Sequence, residues 1–142
     1  MPTVVVDSNV LLDVLIPDPV WGVWSSAALA DAAETSVLVI NPIIFAEVSV
    51  RFDRIEDLDA ALPPSAFLRE ALPWDAAFLA GKSFVAYRRR GGERRSPMPD
   101  FYIGAHAAVR GYTLLTRDAR RYRTYFPSLA VIAPEPPEDK GA

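Results

Sequence analysis

The sequence predicts a three-layer α/β/α domain built on a small central parallel sheet. Two observations predict it. Short apolar runs at 4–6 ("VVV"), 36–40 ("SVLVI"), 112–116 ("YTLLT") and 129–133 ("LAVIA") are separated by segments of helical pattern. Those runs are continuous instead of alternating with polar residues, as expected of strands covered on both faces by crossover helices. Open sheets of this kind bind ligands in the crevice beyond the carboxyl ends of their strands. The residues that directly follow each run therefore carry the functional interest.

Taken in order, residues 4–6 form the first strand, followed by a short helix from Ser8 or Asn9 to Ile16 that Pro17 and Pro19 end. "WGVWSSAALADAAE" (21–34) reads as a helix and 36–40 as the second strand. "NPIIFAEVSVRF" (41–52) is a helix with Asn41 as N-cap and Pro42 at its first position. "IEDLDAAL" is a short helix stopped by Pro63 and Pro64. Trp74, Phe78, Gly81 and Val85 recur at helical spacing, which predicts a helix from 74 to about 90, ended by Gly91 and Gly92. "GGERRSPMP" is expected to be a flexible loop. Pro99 opens a helix that runs to Gly111; the third strand, a turn of helix in "DARRYRTYF" and the last strand follow. Residues 1–133 are expected to form one domain, and the acidic, proline-rich 134–142 a disordered tail.

The 142 residues suffice for one domain with a single core, and 51% hydrophobic with 23% charged residues is a globular composition. With no cysteine, disulfides and zinc–thiolate sites are excluded. No apolar run approaches the roughly 20 residues of a membrane span, and "MPTVVVDSN" lacks the basic start and cleavage site of a signal peptide. The expectation is a soluble cytoplasmic protein with no membrane association. Net charge is −3, yet residues 88–123 hold ten arginines against Glu93, Asp100 and Asp118, a local +7 that leaves −10 for the rest. Such asymmetry hints at a polyanionic partner; an arginine-rich solvated surface is the plain alternative.

Four acids stand out. Asp7 follows the first strand and Asp118 lies just past the third. Glu47 lies on or beside the core face of helix 41–52, near Ile43, Ile44, Val50 and Arg51, and Asp100 shares a helix face with Ile103, Gly104, Ala107 and Gly111. Each has an ordinary explanation. Asp7 (or Ser8) and Asp118 could cap the helices that follow, Glu47 could pair with Arg51 at i, i+4, and Asp100 could complement a helix dipole. Together they are harder to dismiss. Two carboxylates about 4 Å apart repel by roughly 4 kcal/mol at an effective dielectric near 20, so a cluster of them invites a cation. An all-oxygen ligand set selects Mg²⁺ or Mn²⁺ over zinc.

With these residues in view, the chain resembles PIN-domain ribonucleases, specifically the small VapC-type toxins of bacterial toxin–antitoxin pairs. The matching stretches are "VVVDSNVLLDVL", "NPIIFAEV" and "PMPDFYIGAHAAVRGYTLLTRDARRYRTYFP", within a likeness that spans about residues 3–133. The resemblance implies a PIN-like fold and an acidic quartet at Asp7, Glu47, Asp100 and Asp118, with Asn9 and Thr116 in supporting polar positions. It implies an Mg²⁺-dependent ribonuclease (Mn²⁺ being the alternative ion), a homodimer, and a VapB-type antitoxin whose helical tail occupies a groove near the active site. On this reading Asp7 and Asp100 are the first metal ligands, directly or through water. Asp118 and Glu47 complete the shell, hold a second ion or position the attacking water.

The arginine-rich segment before Asp100 is not a fixed feature of that family. Arg88, Arg89, Arg90, Arg94, Arg95 and Arg117 are candidate contacts to the RNA backbone, and "RRYRTYF" mixes arginine with aromatics as phosphate contact plus base stacking would require. Tyr122, Tyr125 and Phe126 fit a core edge or a dimer contact as well. His106, the one histidine, projects beside Tyr102 and Arg110 and away from Asp100, which predicts a solvent- or partner-facing side chain. Trp21 and Trp24 face the core or a groove.

Three rival readings remain. A receiver-like phospho-acceptor module also places acids at strand ends, but it needs a lysine at a late strand end, and the only lysines are Lys82 and Lys140. A phosphatase of the haloacid-dehalogenase type needs an aspartate where Asn9 stands. The third is a catalytically inert PIN scaffold used for partner binding, which the intact quartet disfavours.

Overall fold

A computed structural model of the chain describes residues 1–92 and 97–135. Five strands form one parallel sheet: β1 (Thr3–Val6), β2 (Val37–Ile40), β3 (Leu68–Arg69), β4 (Thr113–Leu115) and β5 (Val131–Ile132), in the order β3-β2-β1-β4-β5. Between β1 and β2 lie α1 (Ser8–Leu15) and α2 (Gly22–Thr35). Between β2 and β3 lie α3 (Pro42–Ser49) and α4 (Ile55–Ala61). The crossover to β4 carries α5 (Trp74–Arg89) and α6 (Met98–Arg110), and α7 (Arg120–Tyr125) precedes β5. Crossovers between parallel strands are right-handed. The chain moves one way from β1 to β3 and the other way afterwards, so α1–α4 cover one face and α5–α7 the other. This is the expected three-layer α/β/α arrangement.

The valines of β1 explain the run that begins the sequence. Val4, Val5 and Val6 are all buried, as are Val39 and Ile40 of β2 and Leu114 and Leu115 of β4, because helices close both sides of these strands. Ile44 and Val48 of α3 and Phe101 and Ile103 of α6 complete the core. Asn41 caps α3 as expected, its Oδ1 accepting from the Ile44 N–H at 3.0 Å. Gly111 ends α6 with φ +68°, a left-handed conformation that only glycine adopts cheaply, and the Tyr112 N–H bonds back to the Ala107 carbonyl at 2.9 Å.

Several boundaries differ from expectation. Helix α3 stops at Ser49, so Arg51 lies outside it and Glu47 bonds elsewhere. The third and last strands shrink to Thr113–Leu115 and Val131–Ile132. Strand β3 was not expected: two residues between Pro64 and Pro73 form too short an apolar run to read, and only pairing with β2 defines them. The periodic residues of α5 correctly signal a helix, but they do not mark its buried side. Trp74 is 91% and Phe78 70% exposed, while Ala76, Ala80 and Ser83 face the core, because α5 packs closely against α6 through small residues. The expected loop around Glu93, Arg94 and Arg95, and most of the expected tail, lie outside the described residues. Among the described residues no helix is long and apolar enough to cross a membrane.

Candidate active site

The strand order reverses at β1, with β2 on one side and β4 on the other. That is the topological switch point, where adjacent connections diverge to opposite faces and open a crevice. Val6 pairs with Leu115, and the Asp7 N–H donates to the Leu115 carbonyl at 2.9 Å, which brings Asp7 and Thr116 level at the crevice floor. A cleft of about 550 Å³ opens above them, lined by Asp7, Asn9, Asp100, Asp118, Arg121 and Tyr122 among others.

Asp7 serves two purposes. Its Oδ1 accepts from the Ser8 N–H at 2.7 Å, the capping bond anticipated at the start of α1. Its Oδ2 accepts from Thr116 Oγ1 and from the Tyr122 hydroxyl, both at 2.9 Å. Thr116 is held in turn. Its lone pairs receive Asn9 Nδ2 and the Asp118 N–H, each at 3.2 Å, so its single proton is directed at Asp7. Asn9 Oδ1 accepts from the Arg117 N–H at 3.3 Å, which fixes the orientation of its amide. The two expected supporting residues thus orient the carboxylate of Asp7.

The other acids join through neighbours. Ser8 Oγ donates to Glu47 Oε1 at 3.0 Å. The Tyr122 hydroxyl lies 3.4 Å from Asp100 Oδ1, and Arg121 Nη1 donates to Asp100 Oδ2. Asp118 is exposed at the mouth, its Oδ1 within 3.4 Å of the Arg120 N–H. Burial, reinforced by the charge of Asp100, raises the Asp7 carboxyl to about 6. Burial likewise raises Glu47; the Ser8 bond offsets part of that rise, and the charges of Asp7 and Asp100 add to it. Burial also raises Asp100 despite its bond to Arg121, and the charge of Asp118 adds to the effect. The four acids therefore share one electrostatic environment. The phenol of Tyr122 is pushed well above its usual value by burial and then by Asp7 and Asp100, so it stays a donor.

Among the described residues no group of three or more His, Cys, Asp or Glu side chains is arranged to hold a metal ion. Mg²⁺ typically takes one or two carboxylates and keeps several waters. Asp7 and Asp100, oxygen donors that both meet the Tyr122 hydroxyl, fit that requirement. Sequence reasoning missed Ser8 as the link to Glu47, Arg121 as a cation inside the cluster, and Tyr122 as the bridge between two acids. The i, i+4 pair Tyr122 and Phe126 was the available signal, since it gives α7 an apolar face turned toward the strand ends; both are buried.

The remaining candidates are placed differently. Arg88, Arg89 and Arg90 are exposed at the end of α5, and the Arg90 guanidinium lies 5.5 Å from the ring centre of Tyr125, a cleft-lining residue. Arg94 and Arg95 lie outside the described residues. Arg117 turns away from the cleft: its Nε sits 3.0 Å from Asp13 Oδ2 in a charge contact without hydrogen-bond geometry, and its guanidinium faces Trp21 at 5.8 Å. Asp13 also accepts from Ser25 Oγ at 2.7 Å.

His106 is the clear correction. It is fully buried, not solvent-facing, held between Asn41 just past β2 and Glu70 just past β3, a strand absent from the expected topology. Asn41 Nδ2 donates to His106 Nδ1 at 3.0 Å, so Nε2 carries the proton and donates to Glu70 Oε1 at 3.0 Å. Tyr112 donates to the other Glu70 oxygen at 3.0 Å. Burial works against the charge of Glu70, but these bonds and the nearby Arg110 lower its carboxyl overall.

A model of the PIN domain matches residues 4–127 of the chain. Comparison with curated proteins returns no match. Solved structures with the same fold include VapBC2 from Rickettsia felis bound to a promoter DNA fragment, at TM-score 0.71 and 17% identity, covering 94% of this chain and 99% of that one. VapBC-1 from nontypeable Haemophilus influenzae aligns at TM-score 0.70 and 16% identity, covering 92% and 97%. DNA-bound VapBC from Salmonella typhimurium aligns at 0.68 and 18%, covering 94% and 98%.

Proposed function

The chain belongs to the PIN domain family, and from that premise we propose that it is a metal-dependent endoribonuclease acting in the cytoplasm as the VapC-type toxin of a toxin–antitoxin pair. The observation that carries this reading is the bridging of Asp7 and Asp100 by one buried hydroxyl, that of Tyr122, at the sheet's switch point. Nothing in a purely structural role calls for acids from the end of β1 and from α6 to meet where the charge of Asp100 raises the cost of ionising Asp7.

Asp7 and Asp100 would hold Mg²⁺ or Mn²⁺, with Asp118 and Glu47 anchoring waters around it. Bound there, the ion would neutralise charge on the phosphodiester and lower the pKa of an attacking water. Thr116 and Asn9 keep Asp7 Oδ2 aimed into the cleft, and Ser8 aims Glu47. Glu47 Oε2, the oxygen that Ser8 does not engage, would take a proton from the attacking water; burial raises its pKa, which favours that role over an ordinary surface carboxylate. The partners proposed are an RNA substrate, a VapB-type antitoxin chain and a second copy of this chain. The VapBC assemblies among its structural neighbours support that choice.

The test is cleavage of a labelled RNA with Mg²⁺ and with a chelator present. Asp7→Asn and Asp100→Asn should each lower the rate by about 100-fold or more while circular dichroism stays native. A folded Asp7→Asn protein that cuts RNA at the full metal-dependent rate would refute the reading.

A further inference from the structure

We propose that Arg121 is the resident counter-ion of the acidic cluster and competes with the divalent cation for Asp100. The inference rests on the nuclease reading above and deepens it.

Both oxygens of Asp100 are engaged by consecutive residues of α7. Oδ2 receives the Arg121 guanidinium and Oδ1 lies 3.4 Å from the Tyr122 hydroxyl. Each oxygen keeps a second lone pair, but a divalent ion brought onto Asp100 would sit beside the guanidinium and be repelled by it, so one of the neighbours has to give way. Tyr122 is 2% exposed and also bonded to Asp7, so it has nowhere to go. Arg121 is different: its side chain is 39% exposed and borders the open cleft. Its guanidinium rests 5.9 Å from the ring centre of Tyr87, a loose cation–π contact. Of the two partners, only the arginine can leave.

An ordinary surface ion pair would give the same distance, but not the same setting. Asp100 is a half-buried carboxylate whose charge acts on Asp7 and Glu47, and Arg121 is the cation bonded directly to it. The fold therefore supplies one internal positive charge where the chemistry calls for a divalent one. Competition is reciprocal: whatever the arginine gains from Asp100, the ion must overcome, and the ion loosens the arginine by the same factor. Once displaced, the guanidinium stays on the cleft wall, within reach of a phosphate in the cleft.

The experiment measures Mn²⁺ binding to the metal-free full chain by isothermal titration, for the native protein, Arg121→Gln and Arg121→Lys, alongside turnover on RNA. Arg121→Gln should bind Mn²⁺ about 5- to 10-fold more tightly and yet turn over more slowly, with Arg121→Lys between the two. Tighter binding with slower turnover is not what a merely damaged fold produces. Unchanged or weaker Mn²⁺ affinity in folded Arg121→Gln would overturn the proposal. If native RNA cleavage were still metal-dependent in that case, the nuclease reading would survive. Failure of the native chain to bind Mn²⁺ at all would end both.

Discussion

Asp7 is at once a helix cap, a buried charge and a proposed metal ligand, and its stability cost separates these roles. Its carboxyl is raised to about 6 in the fold from an ordinary value of 3.8, first by burial and then by Asp100. A carboxyl shifted upward contributes stability that is fully present below about pH 3.8 and lost as pH rises through about 6. The shift corresponds to roughly 3 kcal/mol against the metal-free fold at neutral pH. Asp7→Asn removes that ionisation but gives up some of the bonds to Thr116 and Tyr122. We expect urea unfolding in chelator to show the variant more stable by about 1–2 kcal/mol at pH 7.5, with the advantage gone near pH 4. A variant less stable than the native chain at both pH values would mean that Asp7 is chiefly a structural cap.

At the scale of elements, the ends of the strands set where chemistry can occur. Strands β1 to β4 are each followed by a polar residue: Asp7, Asn41, Glu70 and Thr116. The rim divides into two networks. Asp7 and Thr116 open into the cleft, whereas Asn41 and Glu70 are closed by His106 of α6. Helix α7 completes the open half, and it does so because Gly104 lets it approach. A Cβ on Gly104 would lie 2.6 Å from the Phe126 ring and 3.0 Å from that of Tyr122. Gly104→Ala should therefore cost about 1–3 kcal/mol by overpacking, visible as a lowered melting temperature. It should also reduce cleavage beyond what the stability loss explains, since Tyr122 must shift from Asp7 and Asp100. Full activity in a folded Gly104→Ala protein would show that the position of Tyr122 does not matter.

Over the whole molecule, charge is distributed so that an acidic protein carries a basic flank. Arg88, Arg89 and Arg90 stand exposed at the end of α5, and Arg90 approaches Tyr125 on the cleft wall. Counter-ion release makes single-stranded RNA affinity fall with salt by about 0.7 per neutralised phosphate in the log–log slope. Reversing these three charges to glutamate should weaken binding and flatten that slope by about 2; an unchanged slope would place the RNA path elsewhere. Arg117 should contribute little to it, because Asp13 and Trp21 already hold its side chain.

Local pattern was enough for the α/β class, the caps at Asp7 and Asn41, the helix stop at Gly111 and the candidate acids at the strand ends. Apolar runs, prolines and glycines act over a few residues, so a linear reading captures them. It could not show that α5 buries its alanines and exposes Trp74 and Phe78, that β3 exists, or that His106 is buried between Asn41 and Glu70. Those outcomes depend on which face meets which neighbour, and hydrophobic periodicity does not carry that information. The same limit governed the site. Asp7 was legible from its place after the first strand, and Asn9 and Thr116 from the family resemblance, but the roles of Tyr122 and Arg121 arise only once α7 docks over Gly104 and brings both onto Asp100. Tertiary packing alone decides which donor reaches a buried carboxylate, because the contact joins residues far apart in the chain and its strength depends on the water excluded around it.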